Sequence, residues 1–241
     1  DCIIPRIGQK KPGYTLAAIR QFELRGATTL TPSQAMGRSR DKLRALQVLS
    51  QNSIGVPKTC FLDSLADIDV AIEMVGGAPI IIKLLEGTQG VGVMLGESWR
   101  SSRSILESLL NQGQHVLVQE FIKEAEGQDT RVIILGGRTI AAMQRTAINE
   151  DFRSNIHRGA THAKAQLSIE AERTAQIATR ALGLQFAGVD LVESHRGPLI
   201  LEVNPSPGLE GIETASGVNV AKHCITYLEK THRLQSHRDS V

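Results

Sequence analysis

Aromatic residues make up only 3% of this 241-residue chain, and the formal excess of positive charge is just +2. Both scarcities argue against direct nucleic-acid binding, which relies on stacked aromatic platforms for single strands and strong positive fields for duplexes. A pI near 8.5 leaves room for a local basic patch. Cys2, Cys60 and Cys224 are odd in number and scattered, with no C-x-x-C pair. They build neither a disulfide framework nor a zinc site, and they fit a reducing compartment such as the cytoplasm. The 7 histidines include no H-E-x-x-H. No apolar run reaches the ~20 residues that cross a bilayer, and no leader pattern opens the chain, so no membrane partner is expected. A G-x-x-x-x-G-K-[ST] loop is missing, as are H-R-D and D-F-G; Asp151-Phe152-Arg153 is a different triplet. These absences exclude the common phosphate-loop and protein-kinase designs.

What is present centres on Gly197-Pro198-Leu199-Ile200-Leu201-Glu202-Val203-Asn204-Pro205-Ser206-Pro207-Gly208. It reads as a strand entering a stiffened loop. Residues two apart share a face, so Glu202 and Asn204 project together while Leu199, Leu201 and Val203 take the other side. Upstream, Ala187–Glu193 is also strand-like. A three-residue loop of His195, Arg196 and Gly197, with Gly197 at positive φ, places Asp190 opposite Glu202. Facing carboxylates destabilise a sheet unless a cation lies between them. The oxygen-only donors Asp190, Glu202 and Asn204 suit Mg²⁺ or Mn²⁺. On this hairpin alone, a plain polar edge in water is as well supported as a metal site.

Other stretches add to it. Lys83 interrupts an otherwise apolar strand and needs a partner, either a carboxylate such as Glu120 or an anionic ligand. Glycines 87, 90 and 92 follow it and leave bare backbone N–H groups between two strands, as a loop over phosphate oxygens requires. Gln119-Glu120-Phe121-Ile122 ends a strand and offers backbone groups to a planar base, with Glu124, Glu126 and Asp129 beyond it. By composition those carboxylates read as a solvated turn. Residues 151–159 are too polar for core and gather guanidinium and amide donors, either as a surface loop or as an anion-binding one.

Periodicity predicts α+β architecture with mostly antiparallel sheets. A helix is expected near 14–24, and another, signalled by Thr31-Pro32-Ser33, through 38–51 with Leu43, Leu46 and Leu49 inward. Further helices are expected near 68–75, 101–110, 168–182 and 220–229, and a hairpin through Gly136-Gly137. The opening apolar run, Cys2-Ile3-Ile4, suggests that a domain normally precedes it.

Lys83, the 87–92 loop, the 119–129 segment, Arg153 and Asn155, and Asp190, Glu202 and Asn204 follow one another as in the ATP-grasp superfamily. More closely, the chain resembles the RimK-type glutamate ligases, which add glutamate to the C-terminus of a small-subunit ribosomal protein. The resemblance runs from about 5 to 229 and is strongest at 39–43, 76–92, 119–131, 151–159 and 197–213. It implies an ATP-grasp fold of two α+β subdomains gripping ATP, at 31–118 and 119–241, with 1–30 a remnant of a preceding small α/β domain. It implies that Lys42 and Lys83 contact the phosphates and that Gly90 and its neighbours close over them. Gln119 and the backbone of Glu120, Phe121 and Ile122 then meet adenine, and Asp129 meets ribose. Arg153, Ser154 and Asn155 lie by the γ-phosphate, Arg153 and Asn155 in catalytic roles. Asp190, Glu202 and Asn204 hold two divalent ions, and Arg145 meets a substrate carboxylate. Ala160 stands where a second glycine is expected after Gly159.

The activity so implied is an ATP-dependent carboxylate–amine ligase working through an acyl phosphate. Its partners would be ATP, an amino acid such as glutamate, and a protein or peptide C-terminus, a ribosomal protein first; a homo-oligomer is left open. The rivals are a ligase for another carrier, peptide or cofactor precursor, and a non-catalytic nucleotide-binding module.

Overall fold

In the computed structural model the apolar runs resolve, among the described residues, into two antiparallel sheets and one short parallel pairing. The structure describes residues 1–8, 12–85, 92–147 and 161–238, with 12 and 233–238 by backbone alone. The smaller sheet has the order β3-β6-β4-β5, from β3 (Thr59–Leu62), β4 (Ile80–Leu84), β5 (Val93–Gly96) and β6 (Val116–Glu120). The larger has the order β11-β10-β7-β8-β9. Its strands are β7 (Gln128–Leu135), β8 (Arg138–Thr146), β9 (Thr161–Lys164), β10 (Phe186–Val192) and β11 (Leu199–Asn204). The parallel pairing joins β1 (Cys2–Ile3) to β2 (Thr28–Thr29). The α+β expectation agrees with this arrangement.

One face of the smaller sheet is covered by helices. Ile80, Ile82, Val116 and Val118 pack with Ile68 and Ile72 of α4 (Ile68–Met74) and Leu106 of α5 (Trp99–Asn111). The period of two then turns Ile81, Lys83, Leu117 and Gln119 to the opposite face. On the larger sheet, Val132, Ile134, Val189 and Leu191 lie under the alanine stripe 171, 175 and 178 of α6 (Ile169–Ala181). Ser168 caps that helix by accepting the Ala171 N–H at 3.0 Å. The sheet's other face is shared. Ile133, Leu135, Met143 and Phe186 meet Ile212 of α7 (Glu210–Ser216) and Val220, Cys224 and Leu228 of α8 (Val220–Arg238). Its remaining end carries Asp129, Arg131, Arg145 and Asp190.

The chain's helical start differs from expectation in a way that matters for the site. After α1 (Pro12–Glu23), the helix expected through 38–51 is interrupted, giving α2 (Ser33–Arg40) and α3 (Lys42–Gln51). Asp41 adopts an extended ψ of 103° and accepts the Arg44 N–H, capping α3 and making Lys42 its first residue. Ala45 and Leu49 are the buried positions of α3, while Leu43 and Leu46 are half-buried. Ala35, Ala45 and Leu49 join the core of the larger sheet, so the buried apolar residues of 33–51 pack there. The passage between the sheets falls at 121–127, after β6, a few residues beyond the expected 118/119 division. Gly136 and Gly137 have φ of 58° and 76°, giving β7 and β8 the tight primed turn that the sequence predicts. The sequence pattern announces neither β9 nor α7.

Candidate functional site

Asp190 and Glu202 do pair, but through a different local structure. Ser194 and Gly197 exchange both backbone hydrogen bonds (3.2 and 3.0 Å), with Gly197 at φ 88°, so the loop is His195 and Arg196 alone. A two-residue loop by itself shifts the register by one. The ladder restores it with a bulge: Leu191 pairs with Ile200, Asp190 pairs with Glu202, and Leu201 is the extra residue. The shorter loop and the bulge cancel. In consequence Ile200, and not Leu201, joins Val203 in the core. Gly188 pairs with Asn204, and a Cβ on it would stand 2.6 Å from Pro207 Cβ. The loop after β11 therefore folds back over this strand, helped by Asn204 Oδ1, which accepts the Ser206 N–H at 2.9 Å.

Asp190 is held by two arginines. Arg131 Nε donates to Oδ1 and Nη2 to Oδ2, both at 2.7 Å, and Arg145 Nη2 lies 2.9 Å from Oδ2. Arg145 also forks onto Asp129, with two contacts of 2.6 Å. Asp129 and Asp190, with Arg145 between them, are all buried. Burial alone would raise the Asp190 carboxyl, but Arg131 and Arg145 outweigh it and hold it at about 2. Burial likewise opposes the charge on Arg131 and Arg145, and the facing carboxylates more than offset that.

Two sequence expectations gain detail here. Arg145, which the resemblance turns toward a substrate carboxylate, engages two carboxylates of its own sheet through Nε and Nη2. Asp129 is not a solvated carboxylate, since both its oxygens accept from Arg145. Arg131 is the residue that sequence reasoning missed. The available signal was its spacing of two from Asp129 on a strand, which puts both on one face; its pairing with Asp190 needs the β7–β10 register.

Across from this group stands Lys83. Its partner is not Glu120, whose carboxylate pairs instead with Arg196 in the β10–β11 loop. Burial pushes the Lys83 ammonium down to about 8, partly opposed by Glu202 and Asp190, while Lys42 adds to the shift. The smaller sheet thus presents Lys83 to the Asp190–Glu202 ribbon. Glu202 is solvent-accessible, yet the protein packed around it, and then Asp190, disfavour its charge, so its carboxyl is raised. Among the described residues it has no hydrogen-bond or ion-pair partner. Lys42 Nζ donates to the carbonyls of Leu84 (2.7 Å) and Leu85 (3.0 Å), tying the start of α3 to the end of β4.

Around the passage between the sheets, Gln119 Nε2 donates to Thr59 Oγ1 at 2.8 Å, so this side chain braces β3. Ile122 C=O accepts the Ala125 N–H at 3.2 Å. Phe121 and Ile122 are half-buried. Glu124, expected to be a solvated turn residue, accepts the His195 N–H at 3.1 Å, so the ribbon's loop leans on this passage. Gly90, Arg153, Ser154 and Asn155 lie outside the described residues. Gly92, at φ +82°, turns the chain into β5 where a Cβ would meet Leu84 at 2.9 Å.

The donor chemistry fits a divalent cation. Among the described residues no group of three or more His, Cys, Asp and Glu side chains could hold a metal, so the set is two carboxylates and a carboxamide. A carboxylate offers about four acceptor positions. Asp190 commits three contacts to arginine, leaving Oδ1 the less occupied oxygen. Both Glu202 oxygens and one lone pair of Asn204 Oδ1 complete a hard, all-oxygen set.

Comparison with known proteins places this geometry in context. Residues 39–228 match the family model described as a RimK-like ATP-grasp domain. A protein named probable alpha-L-glutamate ligase, from Picosynechococcus sp., is 50% identical over 230 residues, covering 95% of this chain and 76% of the relative. One of the same name from Marinomonas sp. is 50% identical, covering 98% and 78%. Among solved structures, D-alanine–D-alanine ligase from Bacillus anthracis complexed with ATP matches with a TM-score of 0.74 at 18% identity, over 100% of this chain and 81% of that one. The ATP-grasp ligase PsnB, complexed with a phosphomimetic variant of its minimal precursor, Mg and ADP, matches with a TM-score of 0.71 at 21% identity, covering 92% and 68%.

Proposed function

Because this chain belongs to the RimK-like ATP-grasp family, whose members are ligases that join carbon to nitrogen, we propose that it attaches glutamate to an acceptor carboxylate at the expense of ATP. The acceptor oxygen attacks the γ-phosphorus, the bond to ADP breaks with its electron pair, and an acyl phosphate results. The glutamate nitrogen then attacks the acyl carbon, phosphate departs, and the nitrogen's proton passes to solvent. The observation that carries this reading is the placement of Lys83 opposite the Asp190–Glu202 pair, with a cation for the phosphates on one sheet and oxygen donors on the other.

Lys83 neutralises charge on the nucleotide tail, the main service a protein renders in phosphoryl transfer. Lys42 positions the end of β4, where the chain enters 86–91, and adds its charge to the same field. The backbone of Glu120, Phe121 and Ile122 meets adenine. Asp129, turned to ribose in the resemblance, does so only as part of its fork with Arg145. Arg153, Ser154 and Asn155 keep the γ-phosphate roles that the resemblance gives them. Glu202, Asp190 and Asn204 would hold Mg²⁺ or Mn²⁺, two ions in number, which supply charge neutralisation and orientation of the triphosphate.

The acceptor is a C-terminal carboxylate of a protein or peptide, in the cytoplasm. The likeness of Lys123-Glu124-Ala125 and of 208–213 to RimK-type ligases favours a ribosomal protein. Among the described residues no helix is long and apolar enough to cross a membrane. The test is ADP release with ATP, Mg²⁺, glutamate and candidate acceptors, with mass spectrometry of each acceptor for a mass increase of one or more glutamates. Glu202→Ala should abolish the ADP release that depends on acceptor and glutamate together; wild-type turnover in that variant refutes the assignment.

A further inference from the structure

Asp190 reaches any cation already tied to two guanidinium groups. Three of its contacts go to Arg131 and Arg145, so the oxygen that would face a metal belongs to a carboxylate whose charge is largely countered. Among the described side chains of the site, Lys42, Lys83, Arg131 and Arg145 outnumber Asp129, Asp190 and Glu202 by one charge. A divalent ion entering alone would meet a group with net positive charge. A nucleotide diphosphate or triphosphate reverses that balance, and charges beside buried groups such as Asp190 interact more strongly than in bulk water.

We propose that Arg131, with Arg145 behind it, is a positioning residue that locks Asp190 in place and makes cation binding conditional on nucleotide. The proposal rests on the nucleotide-binding reading above. Arg131 carries the larger share, because it forks onto both Asp190 oxygens and, among the described residues, pairs with no second carboxylate. Arg145 divides its donors between Asp190 and Asp129. The clamp also leaves Asp190 Oδ1 as the oxygen with room for a further ligand, which favours contact through a single oxygen, while Glu202 keeps both of its own.

The experiment titrates the full chain with Mn²⁺, reading the free aquo-ion by electron paramagnetic resonance, with and without saturating ADP. Wild type should bind Mn²⁺ at least tenfold more tightly with ADP. ADP also brings its own oxygen ligands, so the decisive variants are at Arg131. Arg131→Gln keeps a donor to Asp190 and removes the charge, and it should tighten nucleotide-free Mn²⁺ binding at least tenfold. Arg131→Lys should return it toward wild type. A residue with a purely structural role would lose Mn²⁺ affinity on substitution. A folded Arg131→Gln protein with unchanged or weakened nucleotide-free affinity therefore overturns the clamp. Equal Mn²⁺ affinity with and without ADP in wild type does the same even if neither variant folds. Failure of wild type to bind ADP at all removes the nucleotide reading as well, which separates the two failures. Glu202→Gln should lower Mn²⁺ affinity in both states, and if it does not, the Mn²⁺ signal comes from elsewhere and the clamp falls.

Discussion

Lys83→Met offers the sharpest test of the site's electrostatics, because it should make the free protein more stable and the enzyme worse. In the free protein the ammonium is desolvated, and its pKa falls from 10.5 to about 8. At about 1.4 kcal/mol per pKa unit, charging Lys83 in the folded state costs about 3 kcal/mol relative to the unfolded chain. Lys83 is half-buried, and residual solvation trims the cost, so the methionine variant should gain roughly 1–3 kcal/mol in urea denaturation at pH 7. The pH dependence fixes the sign. Below about 8 both states carry the proton and the penalty is complete. Between about 8 and 10.5 the unfolded chain binds more protons than the folded one, so wild-type stability rises with pH and the advantage of the variant shrinks. ADP affinity should move oppositely. In wild type it should weaken above about pH 8 as the cation is lost, by up to about tenfold per pH unit. In Lys83→Met it should be low and flat through the same range. A variant less stable than wild type at pH 7, or a stability difference that does not change between pH 7 and 10.5, would refute the desolvated-lysine reasoning.

Asp190→Asn should cost about 3–5 kcal/mol in urea denaturation, because it leaves Arg131 and Arg145 buried without their countercharge. Glu202→Gln, which removes a carboxylate whose charge is disfavoured, should be neutral or slightly stabilising in the free protein by the same assay. The Asp190 contribution is fully present above its unfolded value of 3.8 and is lost as pH falls through about 2, so the stability gap between wild type and Asp190→Asn should close across that window in acid denaturation. Gly188→Ala should displace Pro207, 2.6 Å from the new Cβ, and with it the loop next to Asn204. Thermal melts should show a loss of about 1–3 kcal/mol, and ADP-release assays a larger proportional loss of activity than of stability.

Much of the chemistry was legible along the chain, because alternation on a strand depends only on spacing. Glu202 and Asn204 share a face, Lys83 breaks an apolar run, and Ser168 starts a helix whose alanine stripe is buried; each follows from residues within a few positions of one another. Helix continuity at 38–51 was less legible. Asp41 can sit in a helix or cap the next one, and the choice depends on how α2 and α3 pack on the larger sheet. Of the two partners that the sequence leaves open for Lys83, a carboxylate such as Glu120 or an anionic ligand, the structure removes Glu120 for a related reason. Glu120 lies nearby on β6, but the β10–β11 loop folds over and takes it with Arg196.

The sequence alone determined which side chains could serve: oxygen donors two apart on one ribbon, a lysine in a buried strand, and glycines where the backbone must turn. Tertiary structure decided what those side chains are bound to. Asp190 meets Glu202 because a shortened loop and a bulge offset each other. It meets Arg131 and Arg145 because two further strands join the same sheet in a particular register. Ion pairs of that kind depend on distances between segments dozens of residues apart, and these exist only once the sheets have formed.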